Sequence, residues 1–259
     1  MNILAIGDVV GKIGCSFLRD KLPQLKKVKG IDIVIANGEN SADGNGITPA
    51  SADFLFTSGV DVITTGNHSF RRKESYELYD ECEYLIRPSN FPNGTTPGRG
   101  MTILDMGRCQ VAVINLMGTA YLEPLDCPFK EADKLIKQAQ EENAKIIIVD
   151  FHAEATGEKR AMGYYLDGRV SAMFGTHTHV QTADATILPQ GSGYITDVGM
   201  TGPIDSVLGV KPEIIIKKFT EKLPQRFDLA TGDCKMNCVL MEVDEKSGKT
   251  INIVSLEIL

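Results

Sequence analysis

The residues best suited to metal chemistry in this sequence come directly after short apolar runs that are typical of β-strands. Because ligands bind outside the carboxyl ends of strands in open α/β sheets, we expect these side chains to meet at one edge of a sheet. Mixed imidazole, carboxylate and amide donors suit manganese, iron or zinc, and their number suits two ions better than one tetrahedral ion. They are Asp8, Glu39, Asn40, Asn67, His68, His152, His177 and His179.

Each of these residues also has an ordinary structural explanation when it is taken alone. An aspartate after a first strand is commonly a turn or cap residue, and Gly66-Asn67-His68 is an acceptable tight turn. The pair His177 and His179 is more informative, because alternate residues on extended backbone project to the same side. The combination at five strand ends favours a metal site. Two ions about 3.5–4 Å apart can orient a phosphoryl group and stabilise an in-line displacement.

The elements that must position these residues follow from the pattern of apolar residues. The predicted strands and hairpin arms are 1–6, 31–36, 61–64, 101–106, 110–116, 146–151, 170–174, 194–197, 237–244 and 250–258. The predicted helices are 16–28 with an interruption at Pro23, one that begins at Thr48-Pro49, 72–81 and 128–142. Alternating strands and helices predict a layered α/β fold, and the lack of a linker or repeat predicts a single domain over residues 1–259.

Composition and charge restrict the class of protein. With 42% hydrophobic and 24% charged residues, the 259-residue chain has the profile of a soluble globular protein. Its net charge of -7 argues against bulk binding to DNA or to an anionic membrane, although a bound metal would still allow a phosphorylated ligand. The six cysteines form no CxxC pair, and we see neither a signal-peptide pattern nor an apolar run of about 20 residues. We therefore expect a cytoplasmic protein.

The order of the motifs resembles that of the calcineurin-like metallophosphoesterase superfamily, which shows D-x-H, G-D, G-N-H, a later histidine and G-H-x-H. Two positions depart from that pattern, since Val10 stands where a histidine is usual and Glu39 stands where the bridging aspartate is usual. Both departures match the YmdB-type branch, with its G-D-[VI]-x-G and G-E-N motifs. The same branch shows segments that correspond to 151–154 (FHAE), 175–180 (GTHTHV) and 197–202 (DVGMTG), so the resemblance covers nearly the whole chain.

One local departure from the YmdB-type branch is Arg71. After the G-N-H motif the branch usually has an aromatic residue followed by an acidic one, and here Phe70 is followed by a basic residue. We expect this change to alter the surroundings of His68 or the substrate preference. It removes no expected metal ligand.

The resemblance implies a β-sandwich core flanked by helices and a dinuclear metal centre, with iron or manganese as the expected divalent or trivalent ions. The implied ligand sets are Asp8, Glu39, Asn40 and His179 for one ion, and Glu39, Asn67, His152 and His177 for the other. Glu39 would bridge, Asn40 would fill the position left by Val10, and a hydroxide between the ions would attack phosphorus. His68 is the candidate catalytic residue, as general acid for the leaving oxygen or as a donor that stabilises developing charge.

Other residues near these motifs have candidate supporting roles. Three polar side chains would orient the imidazoles, or are ordinary polar residues at strand ends: Glu154, Thr176 and Thr178. In the loop 41–46, glycines allow close approach of a phosphate, with Ser41 and Gly44 as candidate substrate contacts, although a simple turn explains the loop equally well.

The leading functional hypothesis is a dinuclear metal-dependent phosphodiesterase whose partner is a small phosphodiester, such as a 2′,3′- or 3′,5′-cyclic nucleotide. The alternatives are a phosphomonoesterase and a metal-containing regulatory or scaffold protein with little turnover. An amidohydrolase-like enzyme is disfavoured, because its H-x-H lies on the first strand of a barrel whereas His177 and His179 occur late in this chain. No membrane partner is expected, and homo-oligomerisation stays open.

Overall fold

The computed structural model describes residues 1–92 and 94–259, and its elements form two β-sheets with helices outside them. The strands are β1 (Asn2–Ile6), β2 (Asp8–Val9), β3 (Ile33–Asn37), β4 (Val62–Thr64), β5 (Met101–Asp105), β6 (Gln110–Met117), β7 (Ala144–His152), β8 (Ala172–Thr176), β9 (Thr186–Ile187), β10 (Gly193–Ile195), β11 (Met200–Pro203), β12 (Cys234–Val243) and β13 (Thr250–Ile258). The helices are α1 (Gly11–Lys29), α2 (Pro49–Thr57), α3 (Tyr76–Glu81), α4 (Pro128–Glu141), α5 (Thr156–Leu166) and α6 (Pro212–Glu221), and a 3₁₀ turn precedes α3 at Lys73–Ser75.

Parallel strands in each sheet bring the candidate residues together. The first sheet has the order β2-β11-β12-β1-β3-β4, with β13 paired to β12, and β1, β3 and β4 run parallel. The second sheet has the order β5-β6-β7-β8-β10-β9, and β6, β7, β8 and β10 run parallel. The carboxyl ends of β1, β3, β4, β7 and β8 lead directly into the predicted metal ligands, so one end of the sandwich concentrates them.

The core explains why the strand segments are so apolar. Along β1, Ile3 and Ala5 face the second sheet, whereas Leu4 and Ile6 face the helices. The side chains of α1 to α3 cover the outer face of the first sheet, and those of α4 and α5 cover the outer face of the second. A strand that is buried on both faces needs apolar residues at every position. The predicted layered α/β fold is confirmed.

The first helix differs from the prediction in its start and in its continuity. It begins at Gly11 rather than at residue 16, and it continues through Pro23 to Lys29. Proline in a helix interior costs about 3 kcal/mol. Burial of Leu18, Leu22 and Leu25 against the first sheet offsets that cost, because each buried leucine contributes about 1.5–3 kcal/mol.

Two further differences concern helices α3 and α5. The helix predicted over 72–81 is shorter, since the Ser75 hydroxyl donates to the Arg72 carbonyl oxygen at 2.6 Å and favours a 3₁₀ turn before α3. Helix α5 was not predicted, and its Gly163 packs where a Cβ would lie 2.5 Å from the ring of Tyr194. None of the helices in the described part of the chain combines the length and hydropathy that a membrane span requires.

Candidate metal centre

Donors from both sheets meet around the Nε2 atom of His152, the last residue of β7. It lies 2.9 Å from Oδ1 of Asn67 and 3.3 Å from Oε1 of Glu39, which follow strands of the first sheet. It also lies 3.1 Å from Nδ1 of His177, which follows β8. One ligand atom each from Glu39, His152 and His177 fall within 4.8 Å of one another. Two imidazoles, a carboxylate and an amide oxygen form a donor set that suits a divalent metal ion.

A second group of donors lies on the other side of Glu39. Nε2 of His179 is 3.6 Å from Oδ1 of Asp8 and 3.3 Å from Nδ2 of Asn40. The amide of Asn40 is in turn 3.4 Å from Oε1 of Glu39. Oδ1 of Asp8 is fully buried and has no hydrogen-bond partner among the described residues. A buried carboxylate oxygen without a partner is costly, so the surroundings of Asp8 fit a cation.

The amide of Asn40 has an orientation that matters for ligation. Its Oδ1 accepts a hydrogen bond from Nδ1 of His68 at 2.7 Å, while its Nδ2 faces His179 and Glu39. Only the oxygen of a side-chain amide has lone pairs to offer a metal. Asn40 can therefore join the second donor group as a ligand only after its amide turns over, which also changes the atom that faces His68.

Charges in the cluster are strongly coupled. Burial alone would lower the pKa of His152, but the carboxylates of Glu39 and Asp8 raise it to about 9. Burial would raise the pKa of Glu39, but His152 and His68 hold it below its usual value. Burial and the charge on His152 lower the pKa of His177 to about 4. A proton on His152 compensates the charge of the buried carboxylates, and a metal cation at this place would do the same.

A chain of hydrogen bonds orients the ring of His152. Nδ1 of His152 lies 3.0 Å from Oγ1 of Thr176, and that hydroxyl donates to Oδ1 of Asp150 at 2.7 Å. Burial raises the pKa of Asp150 to about 7. These hydrogen bonds keep a proton on Nδ1 of His152 and leave Nε2 of the same ring facing the other metal-ligand candidates. Gly66 is required beside this ring, because a Cβ there would lie 2.2 Å from Cδ2 of His152.

The segment with the two late histidines is not extended, so the expectation that they project to the same side is wrong. His177 and His179 both have positive φ, at 102° and 64°. Such conformations cost about 1–3 kcal/mol each in non-glycine residues and persist only where the surroundings impose them. The turns direct His177 toward His152 and His179 toward Asp8 and Asn40. The two imidazoles therefore join different donor groups.

A buried ion pair holds this strained segment. Nζ of Lys159 donates to Oδ2 of Asp197 at 2.6 Å and to the carbonyl oxygen of Thr176 at 2.8 Å. The same carboxylate oxygen accepts from the backbone N–H of Thr178 at 3.1 Å. Sequence reasoning missed Lys159, because lysine side chains are ordinarily exposed, and this one is fully buried.

Each late histidine also has a partner for its second ring nitrogen. Nε2 of His177 lies 2.9 Å from Oε2 of Glu154, as expected of a residue that orients an imidazole. Nδ1 of His179 donates to the carbonyl oxygen of Leu208 at 3.1 Å. The predicted Thr178 acts through its backbone rather than through its hydroxyl. These contacts leave Nδ1 of His177 and Nε2 of His179 directed at the cluster.

His68 lies at the edge of the cluster and lines its cavity. Its backbone N–H donates to Oε2 of Glu39 at 2.9 Å, and its side chain is 28% exposed. The cavity has a volume of 390 Å³ and is lined by Glu39, Asn40, His68, His177 and His179 together with apolar side chains that include Leu208, Phe219 and Phe227. Burial, His152 and Arg71 lower the pKa of His68 against the effect of Glu39, so the ring is neutral at pH 7.

The sequence of this chain matches a known protein family over nearly its whole length. The family model described as YmdB-like protein matches residues 4–256. The chain belongs to the YmdB-like family. The resemblance inferred from the motifs is thereby confirmed.

Individual relatives agree with this membership of the YmdB-like family. A 2′,3′-cyclic-nucleotide 2′-phosphodiesterase of Bacillus subtilis (strain 168) is 49% identical over 253 residues, which cover 98% of this chain and 95% of the relative. The crystal structure of a novel phosphatase from Mycoplasma pneumoniae is 36% identical with a TM-score of 0.94, covering 100% of this chain and 93% of that one. A 5′-nucleotidase precursor of Thermus thermophilus, 12% identical with a TM-score of 0.55 over 100% of this chain and 54% of that one, shares the fold alone.

Two predicted substrate contacts of the YmdB-like chain lie in different places. Gly44 lines the cavity of the cluster together with His68. The hydroxyl of Ser41 instead donates to Oγ of Ser51 at 2.9 Å, in the first turn of α2, and Ser41 lines a separate cavity. Val10 stands at the position where the wider superfamily has a histidine, and its side chain is buried. It packs closely against Gly209, where a Cβ would lie 2.6 Å from Cγ1 of Val10.

Proposed function

We propose that this chain, a phosphoric ester hydrolase, is a dinuclear metal-dependent phosphodiesterase that acts on cyclic nucleotides. The observation that carries the proposal is the meeting of Glu39, Asn67 and His177 at Nε2 of His152. A second donor group adjoins it through Glu39 and contains the unpartnered oxygen of Asp8. Both groups border one cavity, so a single phosphoryl group can reach them together.

The residues divide between two ions, and a single domain over residues 1–259 supplies all of them. The proposed ligands are Glu39, Asn67, His152 and His177 for one ion, and Asp8, Glu39, Asn40 and His179 for the other. This mixed donor set suits iron or manganese, in either valence. When bound, two such ions supply charge stabilisation at phosphorus and a nucleophile derived from water at neutral pH.

His68 is the proposed catalytic residue, and Asn40 controls its proton. Nδ1 of His68 donates to Oδ1 of Asn40 at 2.7 Å. If Asn40 turns its oxygen toward the metal, its Nδ2 faces His68, and Nδ1 of His68 must then accept. The single proton of the neutral ring would then lie on Nε2, from which it can donate a hydrogen bond that stabilises the charge developing on the leaving oxygen of the ester.

The cavity supports a nucleotide rather than a bare phosphate. Its volume of 390 Å³ lies within the range of small-molecule sites, and Leu208, Phe219 and Phe227 offer an apolar surface to a base. The name of the Bacillus subtilis relative favours a 2′,3′-cyclic nucleotide over a 3′,5′-cyclic one. The expected cytoplasmic location stays a prediction, and homo-oligomerisation stays open.

The test is turnover by protein reconstituted anaerobically with Mn²⁺ or Fe²⁺. The substrates are adenosine 2′,3′-cyclic phosphate, adenosine 3′,5′-cyclic phosphate and the monoester adenosine 3′-phosphate. We expect cleavage of the 2′,3′-cyclic diester to a nucleoside monophosphate, with the monoester left intact. Release of inorganic phosphate from the monoester would instead indicate a phosphomonoesterase.

A matched variant distinguishes catalysis from metal binding. His68→Ala should keep both metals and lower kcat by about 10²–10³-fold, the usual effect of removing one hydrogen-bond donor to a developing oxyanion. Metal-loaded wild-type protein that turns over none of the three nucleotides would favour the regulatory or scaffold alternative.

A further inference from the structure

A second cavity adjoins the cavity of the metal cluster, and His68 lines both. Its volume is 920 Å³, and its lining includes His68, Arg71, Arg226 and Phe227. It shares His68, Gly44, Val210 and Phe227 with the cavity of the metal cluster. A ligand that places one group at the cluster can therefore extend past His68 into this second space.

The positive charges that line this second cavity are of two kinds. The guanidinium of Arg72 donates to the carbonyl oxygens of Asn45 and Ala42, at 2.9 and 3.2 Å, and lies 3.9 Å from Asp43. It serves to hold the loop after Glu39.

Arg71 and Arg226 are exposed instead, and neither has a carboxylate within 4.0 Å in the described part of the chain. The carboxylate of Asp228, on the same wall, lies 4.0 Å from Nζ of Lys211. Two guanidinium groups without an ion-pair partner thus line a cavity that contains the candidate catalytic histidine.

A backbone hydrogen bond holds Arg71 close to His68. The N–H of Arg71 donates to the carbonyl oxygen of His68 at 3.1 Å, which closes a tight turn. Gly46 packs against the start of this side chain, since a Cβ there would lie 3.2 Å from Cβ of Arg71. The side chain therefore starts one turn from His68, and its guanidinium can reach a group attached to the same small substrate.

We infer that Arg71 and Arg226 form a second anion subsite, which binds a phosphate on the 5′ side of the nucleoside whose cyclic phosphate is cleaved. The inference rests on the proposed function and narrows its substrate class. Guanidinium groups bind phosphate oxygens with paired, charge-assisted hydrogen bonds. Phe227, common to both cavities, lies where the nucleoside between the two phosphates would pass. The 5′ phosphate belongs either to a free nucleotide or to the last linkage of an oligoribonucleotide.

The test compares three substrates of the metal-loaded enzyme. They are adenosine 2′,3′-cyclic phosphate, the same nucleotide with a 5′-phosphate, and the dinucleotide adenylyl-(3′→5′)-adenosine 2′,3′-cyclic phosphate. We expect kcat/KM to be about ten-fold higher for one or both of the substrates with a 5′ phosphate. The double variant Arg71→Met/Arg226→Met should reduce this ratio to about one, while Lys137→Met, which removes a surface charge from α4, should retain it.

The pattern among the substrates identifies the source of the phosphate. A preference for both 5′-phosphorylated substrates supports a subsite for free nucleotides, and a preference for the dinucleotide alone supports one for RNA ends. Equal kcat/KM for all three, or a preference that persists in the double variant, overturns the inference.

A binding measurement separates this inference from the proposed function. Calorimetry compares adenosine 3′,5′-bisphosphate with adenosine 3′-phosphate on the metal-loaded protein. The bisphosphate should bind about ten-fold more tightly, and the difference should disappear in the double variant. Tighter binding of the bisphosphate without turnover of any substrate would contradict the proposed phosphodiesterase activity and support the anion subsite. Turnover with equal binding of the two ligands would support the phosphodiesterase activity and contradict the anion subsite.

Discussion

Oε1 of Glu39 lies 3.3 Å from Nε2 of His152, although the two residues stand at the ends of strands in different sheets. Glu39 follows β3 of the first sheet, and His152 ends β7 of the second. The cluster therefore exists only when the sheets are packed face to face. Burial of Ile35 and Ile148 between the sheets is thus part of what assembles the donors.

Replacing Glu39 by glutamine tests its proposed bridging position. Glu39→Gln keeps the shape of the side chain and removes the charge that both donor groups share. Loss of even a residue that only supports a metal ligand typically costs 10–100-fold in affinity or activity, so we expect at least about a 100-fold loss of turnover and fewer than two metals per chain. Metal analysis after dialysis checks the stoichiometry. Two tightly held ions in Glu39→Gln would contradict the bridge.

Metal uptake should release protons, because His152 is protonated in the metal-free protein. Its pKa is about 9, whereas a metal ligand must be neutral. The apparent affinity should therefore rise with pH up to about 9 and fall about ten-fold for each unit below it, if one proton is displaced. His177, with a pKa of about 4, is already neutral at pH 8 and releases no proton when metal binds. Calorimetric titration with Mn²⁺ at pH 8 in two buffers of different ionisation enthalpy measures the release, and equal heats in both buffers would refute it.

The tautomer of His68 should change when metal binds. We expect its proton on Nδ1 in the metal-free protein, where Nδ1 donates to Asn40, and on Nε2 after Asn40 turns. Nitrogen-15 NMR of the imidazoles, with diamagnetic Zn²⁺ as the probe, reports the tautomer directly. In Asn40→Asp the side chain offers only acceptors, so the proton should stay on Nδ1 in both states. A wild-type tautomer that does not respond to Zn²⁺ would exclude control by Asn40.

The buried ion pair of Lys159 and Asp197 should be critical for stability. Lys159→Met would leave the Asp197 carboxylate buried without its charged partner, which costs about 3–5 kcal/mol of the free energy of unfolding. The double variant Lys159→Met/Asp197→Asn should recover part of this loss, because it removes the uncompensated charge. Urea unfolding measures both, with Lys137→Met as the exposed-lysine control, expected within about 0.5 kcal/mol of wild type. A Lys159→Met protein as stable as the control would show that the pair is not needed.

Much of the fold could be read from local patterns. Apolar runs such as 146–151 predict strands because both faces of a central strand are buried, and that requirement acts on every residue in the run. Helix ends were less certain, as the continuous α1 shows, because packing of Leu18 and Leu22 against the sheet outweighs the local effect of Pro23. The Gly163-containing α5 escaped prediction, since its glycine is explained only by the ring of Tyr194 on a distant strand.

The sequence by itself determined which donors are available and that they stand at strand ends, because residue type and strand period are properties of neighbouring positions. Tertiary structure alone decided how they are grouped. His177 and His179 separate into different donor groups because Lys159 and Asp197 hold the intervening backbone in a strained turn. The structure also places Arg71 in one cavity with Arg226, which is more than 150 residues away in the chain. Such relationships arise from the packing of two sheets and their connecting loops, and no local pattern encodes that packing.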